Sequence, residues 1–294
     1  MKVEPYLEIY DFEATDLFNP EPTQIGLVSA NKDLEMLTCN DAYIKPKGKI
    51  SFPAMGITGI TPETVENSPS AEELLSEDSY FAPDEGSVYV ASYNWDYDKQ
   101  FIPESWLVGK KVICLLKVAR MLVDKQLSGD HKLSTLWYYY GHYKTKDYGN
   151  AHDAGIDCKM TLDVLKSMLD ESELTLDEVY TLLYDPTVCK GGKKYEIGTP
   201  WKEIITKDYD YVEYVLENVK DMDQKERDYI AKLVEDNQDL KEKQLDIISF
   251  GKEKGNKWSD IINTQPDYVE WCLTNLTWRN EEVKNYIKDL INNE

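Results

Sequence analysis

Over the first 45 residues, apolar positions alternate with polar ones or cluster in short bursts. This pattern predicts strands at Val3–Asp11, Gln24–Ala30 and Leu34–Ile44. The turn-rich stretches Phe18–Pro22 and Asn31-Lys32-Asp33 separate them, so the chain should open with a β-meander. A loop is expected from Pro46 to Pro62, where Gly48, Pro53, Gly56 and Gly59 interrupt any period. Beyond it come an acidic helix near Ala71–Ser76, a strand at Val88–Ser92 and a helix start in Tyr97–Ile102. Val112–Leu116 reads as the last strand, leading into a helix through Val123. Leu133–Tyr140 and Cys158–Leu169 have helical spacing, with Leu162, Leu165 and Leu169 on one face. Strands followed by strand–helix alternation predict an α/β fold, a mixed sheet covered by helices.

After about residue 175 the pattern changes to an internal repeat. Gly198–Asn218 aligns with Gly255–Asn275 at a constant offset of 57, and ten of the 21 paired positions are identical. Trp201/Trp258, Asp210/Asp267, Tyr211/Tyr268 and Leu216/Leu273 are among them, and Tyr229/Tyr286 and Ile230/Ile287 keep the offset. The expected organisation is a first domain over 1–175 and two small α-rich modules over 190–240 and 246–294. Each module should hold a β-turn segment and two helices. Their aromatics (Trp201, Tyr209, Tyr211, Tyr214, Trp258, Tyr268, Trp271, Trp278) could stack on bases or build a small core. Repeated apolar spacing favours the core.

Composition adds limits. The 294 residues suffice for one sizeable domain and smaller ones. The opening MKVEPYLEIY lacks a signal-peptide pattern, and no stretch approaches the roughly 18 apolar residues of a membrane span. A soluble, cytoplasmic protein is expected. Cys39, Cys114, Cys158, Cys189 and Cys272 are scattered and form no CxxC pair, which excludes a zinc ribbon and argues for reduced thiols. Net charge is −22, with 16 basic and 29 acidic residues up to residue 175 and 17 and 26 after it. Such a surface repels phosphate, unless bound cations invert the field locally.

Three short segments carry chemistry. Asp11-Phe-Glu13 closes an apolar strand, and residues i and i+2 of a strand share a face. Paired carboxylates stay ionised only beside a compensating cation, most simply Mg²⁺ or Mn²⁺. Asn94-Trp-Asp-Tyr-Asp98 follows the strand Val88–Ser92; Asp98 is the better placed carboxylate and Asp96 competes with it. His152-Asp-Ala-Gly-Ile-Asp157 leads into a helix. Five helical residues turn through about 500°, so His152 and Asp157 cannot share a helical face. His152 is therefore expected in a mobile segment before the helix, near Tyr148-Gly149-Asn150, free to swing in as a base. Each segment alone also has a bland reading, as a solvated acidic turn or a satisfied histidine, and the third is the strongest of the three.

In this order the segments resemble the motifs of the DEDDh 3′→5′ exonucleases of the proofreading-subunit (DnaQ-like) superfamily, which share a ribonuclease H-like fold. The resemblance covers roughly residues 5–170. Met55-Gly-Ile-Thr-Gly-Ile-Thr-Pro-Glu63 is similar to the family's HGIT loop, with Thr58 where histidine is usual, and His131-Lys-Leu-Ser-Thr-Leu136 to its HKLxxL helix. Phe250-Gly-Lys-Glu-Lys-Gly-Asn-Lys-Trp258 resembles the C-terminal segment of the exodeoxyribonuclease X branch. Tyr93 stands where the second motif usually has histidine. The first module, reading Tyr195-Glu-Ile-Gly198, is expected to have lost the Lys/Gly loop.

The resemblance implies hydrolysis of DNA 3′ ends to nucleoside 5′-monophosphates. Asp11, Glu13, Asp98 and Asp157 would hold two Mg²⁺ ions about 4 Å apart, with Mn²⁺ able to substitute, and His152 would take the proton of the attacking water. Ala14, Thr15, Asn94 and Thr58 would meet the terminal nucleotides of a single-stranded or frayed end. Lys252, Lys254 and Lys257 alternate with glycines that let phosphate approach, and Lys190-Gly-Gly-Lys193-Lys194 and Lys45/Lys47/Lys49 are further basic spots. An acidic enzyme of this kind should bind weakly and depend on metal and salt. The alternatives are an exoribonuclease, since no residue reads a 2′-hydroxyl, and a catalytically silent scaffold. The repeats could also dock replication or repair proteins.

Overall fold

The strand Pro22–Ala30 (β2) is buried along its whole length, because it lies inside the sheet with both faces covered. Its antiparallel neighbours are β1 (Leu7–Ala14) and β3 (Met36–Tyr43). Tyr89–Ser92 (β4) pairs with β1 in parallel, and Lys111–Cys114 (β5) pairs with β4 in parallel. The order β3-β2-β1-β4-β5 makes a five-stranded mixed sheet, covered by helices in the ribonuclease H-like manner. This computed structural model describes residues 4–148, 152–191, 194–220, 222–278 and 280–292, in two compact units, Met1–Leu183 and Tyr184–Glu294. Val3, Gly149, Asn150, Gly192 and Lys193, named above, lie outside the described residues.

The two-residue period of β1 divides its side chains between two layers. Tyr10, Phe12 and Ala14 join a core with Ile25, Leu27, Phe81, Phe101 and Trp106. Ile9, Asp11 and Glu13 alternate with them on the other face, where the long helix Ala154–Ser172 packs on β1 and β2. The Cys158 thiol donates to the Ile9 carbonyl there, at 3.3 Å. Leu162, Leu165 and Leu169 are buried on this helix, as their spacing predicts.

Several boundaries differ from the sequence expectation, each for a local reason. β1 runs past Asp11 to Ala14, so Glu13 still pairs in register with Gln24. The long helix starts at Ala154 instead of Cys158, because the Asp153 carboxylate accepts from the Ile156 N–H at 3.0 Å and caps it. The expected loop 46–62 contains a helix, Phe52–Thr58. Ser51 caps its start, Pro53 sits in its first turn, and Gly59 at φ 72 ends it, so two of the supposed interruptions are its boundary signals, while Gly56 lies within it. The helix expected from Tyr97 is a single turn, Trp95–Asp98. No described helix is long and apolar enough to cross a membrane.

In the second unit, each repeat opens with an antiparallel bridge, Val188 with Pro200 and Ile247 with Lys257. Two short helices follow, Trp201–Lys207 and Tyr209–Asn218 in the first repeat, Trp258–Thr264 and Pro266–Asn275 in the second. A third helix completes each, Gln224–Asp236 and Glu281–Asn292, against the expectation of two. The third helix places Ile230 and Ile287 at the centre of the separate cores built on Trp201 and Trp258. Those two tryptophans and Tyr209 are core residues. Tyr214 and Trp271, again 57 apart, stay exposed at 60 % and 53 %.

Candidate metal centre

The site forms where the end of β1 meets the start of the long helix. Asp11 and Glu13 emerge on the helix face of β1, opposite Gly26 and Gln24 of β2. Gly26 makes the meeting possible. A Cβ there would lie 2.3 Å from the Ala154 carbonyl oxygen and 2.7 Å from the Gly155 nitrogen, so only glycine lets the helix backbone come this close. Gly155 repeats the device, since a Cβ on it would lie 3.0 Å from the Asp41 Cβ. Gln24 then fastens the helix end, its amide nitrogen donating to Asp153 at 3.0 Å and its amide oxygen accepting from the Ala154 N–H at 3.2 Å.

So held, the first turn of the helix presents Asp157 to β1. One ligand atom each of Glu13, His152 and Asp157 lie within 4.8 Å of one another. His152 precedes the cap residue with φ 71, an uncommon conformation for a non-glycine residue, and its N–H donates to Asp157 Oδ2 at 3.3 Å. Its ring is exposed. The other two of the three histidines are held by contacts within the fold, His131 by the Val123 carbonyl at 2.9 Å and His142 by Ser167 at 3.1 Å.

Asp98, in the turn after β4, is only 3 % exposed and near enough to raise Asp11 and Glu13, although neither it nor Asp11 is among the three residues whose ligand atoms meet within 4.8 Å. Asp96, its competitor in the sequence, is exposed and ion-paired to Lys99 at 2.9 Å. Burial suppresses the ionisation of all four carboxylates, and the fields of their neighbours add to it at Asp11 and Glu13. Burial, followed by the fields of Asp98, Asp157, Glu13 and Asp153, pushes Asp11 well above the usual range. Burial and then Asp157 raise Glu13 to about 8. Burial takes Asp98 to about 7 and Asp157 to about 6, the latter held back by His152. Asp157 Oδ1 is buried with no hydrogen-bond partner among the described residues. A nest of mutually repelling carboxylates with an unsatisfied oxygen is the donor set that a hard divalent cation satisfies.

The remaining sequence candidates sit around this centre or apart from it. Ala14 ends β1. The Thr15 N–H donates to the Glu21 carbonyl, its hydroxyl accepts from the Glu21 N–H, and its carbonyl accepts from Ser51. Asn94 is exposed at the head of the Asp98 turn. Thr58 spends its hydroxyl on the end of its own helix, donating to the Ala54 carbonyl and accepting from the Ile60 N–H. Lys252, Lys254 and Lys257 belong to the second unit and are exposed. Sequence reasoning missed Gln24, Gly26 and Asp153, although a glycine inside a strand pattern is a signal of close backbone approach. It also missed the exposed apolar residues Leu17, Phe18 and Phe52, at 78 %, 85 % and 85 %. Tyr97 is a further omission. Burial and the negative field of Asp98, Glu13 and Asp11 raise its phenol to about 12, so it keeps its proton beside the cluster.

Sheet order and helices define a ribonuclease H-like fold, and its carboxylate nest is a donor set that fits a divalent cation. A family model described as exonuclease matches residues 9–165, just over half of the chain, and a second, described as exodeoxyribonuclease X-like C-terminal, matches residues 248–277. The chain belongs to the exonuclease family, whose members depend on divalent metal. Among curated proteins it is similar to the PolC-type DNA polymerase III of Thermotoga petrophila, 38 % identical over 109 residues, 36 % of this chain and 8 % of that protein. It is also 25 % identical over 187 residues to the PolC-type polymerase of Caldanaerobacter subterraneus subsp. tengcongensis, covering 61 % of this chain and 13 % of that one. It thus spans only a small part of these relatives. Among solved structures, a zinc-bound complex of E. coli exonuclease I with single-stranded DNA superposes with TM-score 0.52 at 18 % identity, covering 60 % of this chain and 43 % of that one. A complex of exonuclease X with 5′-overhanging duplex DNA gives TM-score 0.47 at 24 % identity, covering 59 % and 99 %.

Proposed function

We propose that the chain is a DEDDh-type 3′→5′ exonuclease that shortens single-stranded or frayed DNA ends and releases nucleoside 5′-monophosphates. The observation that carries this reading is the convergence of Glu13, His152 and Asp157 within 4.8 Å, next to buried Asp98 and to Asp11. In this reading residues 1–175 are the catalytic domain and 190–240 and 246–294 are auxiliary modules. The enzyme works in the cytoplasm, where its free cysteines stay reduced.

Asp11, Glu13, Asp98 and Asp157 would hold two Mg²⁺ ions, or Mn²⁺ in their place. Bound ions of this kind supply a more acidic water and neutralise the charge that develops on phosphorus. The protein does the rest. Asp153, Gln24 and Gly26 fix the helix end that aims Asp157. His152, pinned through its backbone and exposed at its ring, takes the proton of the attacking water. Leu17 and Phe18, which follow Ala14 and Thr15 in the chain, and Phe52, next to the Ser51 whose N–H donates to the Thr15 carbonyl, offer exposed apolar faces suited to unstacked bases of a single strand. Asn94 and Thr58 complete the rim. The exonuclease I complex of the same fold was solved with single-stranded DNA, in keeping with this substrate.

A time course on 5′-labelled single-stranded DNA and RNA of equal sequence tests the proposal. The expected result is a DNA ladder shortening from the 3′ end with Mg²⁺ or Mn²⁺ and absent with chelator. Intact oligonucleotide with both metals would overturn it, and faster loss of RNA would replace the substrate.

A further inference from the structure

The two C-terminal modules carry the same hairpin, and a two-residue difference in its length hides the correspondence in the sequence. In the first, the Cys189 N–H donates to the Thr199 carbonyl at 2.9 Å and the Gly198 N–H to the Cys189 carbonyl at 2.8 Å. In the second, the Ile248 N–H donates to the Asn256 carbonyl and the Gly255 N–H to the Ile248 carbonyl, both at 2.8 Å. Gly198 and Gly255 close the two turns at φ 88 and 92. The first module therefore has not lost its loop. Its hairpin carries Lys190 and Lys194. Lys194 lies 5.5 Å over the ring of Tyr211, and Lys252 lies 4.8 Å over that of Tyr268, the equivalent tyrosine.

What differs is the charge around these lysines. Lys194 is ion-paired to Asp208, whose place in the second module is taken by Gln265, which accepts from Lys252 at 3.3 Å. Lys190 pairs at 2.7 Å with buried Glu226, which also accepts from the Trp201 indole at 3.1 Å. Val283 stands 57 residues after Glu226, and the Trp258 indole N–H is buried with no partner among the described residues. Lys252 keeps one acidic neighbour, Glu253, at 3.8 Å. Lys254 and Lys257 are exposed and have no ion pair among the described residues. Trp271 is exposed one helical turn beyond Tyr268.

We propose that the second module alone binds the phosphodiester backbone of single-stranded nucleic acid. Lys254 and Lys257 contact phosphates and Trp271 stacks a base, while Lys190 and Lys194, the described lysines of the first module's hairpin, are neutralised within their own fold. In a chain of net charge −22 only unpaired cations can draw a polyanion, and an exposed indole one helical turn from the tyrosine under Lys252 favours unpaired bases. No catalytic step is involved, so this proposal stands or falls apart from the nuclease reading.

The test is the affinity of the full chain, in chelator, for a labelled single-stranded oligonucleotide over a range of salt. Each phosphate contact to a single strand contributes about −0.7 to the slope of log affinity against log salt. The double variant Lys254→Ala, Lys257→Ala should flatten the slope by about 1.4, and Trp271→Ala should weaken binding about ten-fold. Lys194→Ala should change neither. Asp208→Gln, which copies the second module into the first, should steepen the slope by about 0.7. An unchanged slope in the double variant or in Asp208→Gln, or a loss in Lys194→Ala equal to that of the double variant, would overturn the asymmetry. Tighter binding of polyglutamate than of the oligonucleotide would make the surface a protein-docking one instead. Thermal melts of each variant separate these results from misfolding.

Discussion

Four carboxylates gathered at one strand end make the metal-free protein sensitive to pH in an unusual direction. Glu13, Asp98 and Asp157 have folded-state values of about 8, 7 and 6, and Asp11 lies well above its ordinary value. Unfolded carboxyls titrate near 4, so between these limits the folded state holds more protons than the unfolded state. Stability from this cluster is then fullest below about pH 4 and declines as pH rises toward 8. Melts in chelator should accordingly fall between pH 5 and 8, and Mg²⁺ should flatten the decline. Metal binding near pH 7 should also release protons, readable by calorimetry in buffers of different ionisation enthalpy. A melt that rises over this range in chelator would refute the burial of these groups.

The same residues predict distinct kinetic outcomes. Asp157→Asn should abolish cleavage and raise the metal-free melting temperature at pH 8, because one repelling charge is gone. His152→Ala should lower turnover by about 10²–10⁴-fold, the scale of a lost general base. Wild-type turnover in either variant would remove that residue from the site. The carboxylates and the histidine were legible in the chain, because strand period and motif order place them. Tyr97 was not, since its relation to Asp11 and Glu13 is visible only in space.

At the level of elements, the site depends on how closely one helix end approaches one strand. Gly26→Ala puts a methyl 2.3 Å from the Ala154 carbonyl, which cannot retreat unless the helix lifts. The expected cost is about 1–3 kcal/mol of stability, the usual range for overpacking, together with a fall in kcat/KM as Asp157 moves off β1. Denaturant melts and kinetics on the purified variant check both. Unaltered kinetics with reduced stability would mean that the helix end does not set the site. Here the sequence told less. The apolar pattern starts the helix four residues late, because Gly155 weakens it in the first turn and the capping Asp153 carries no signal distinct from the motif around it. Gln24 gave no signal, as its partners Asp153 and Ala154 are some 130 residues away.

At the level of the whole molecule, the nuclease unit and the repeats have separate hydrophobic cores. Removing residues 190–294 should leave cleavage of a saturating oligonucleotide near the wild-type rate and raise KM, most strongly at low salt. A truncated protein that is folded but inert would show that the catalytic unit needs its tail. The constant offset of 57 made the duplication plain, yet it concealed the shared hairpin, because two extra residues before Gly198 shift the register where the lysines lie. Only the closing hydrogen bonds restore it.

The Cys158 thiol offers a clock. It is fully buried against the Ile9 carbonyl, two residues along the strand from Asp11, whereas Cys39 is partly accessible. A thiol-alkylating reagent should therefore label Cys39 promptly and Cys158 only when the long helix swings away from the sheet. Mass spectrometry of the Cys158 peptide would time that opening directly, and saturating magnesium should slow the labelling by the same factor by which it holds the nest together.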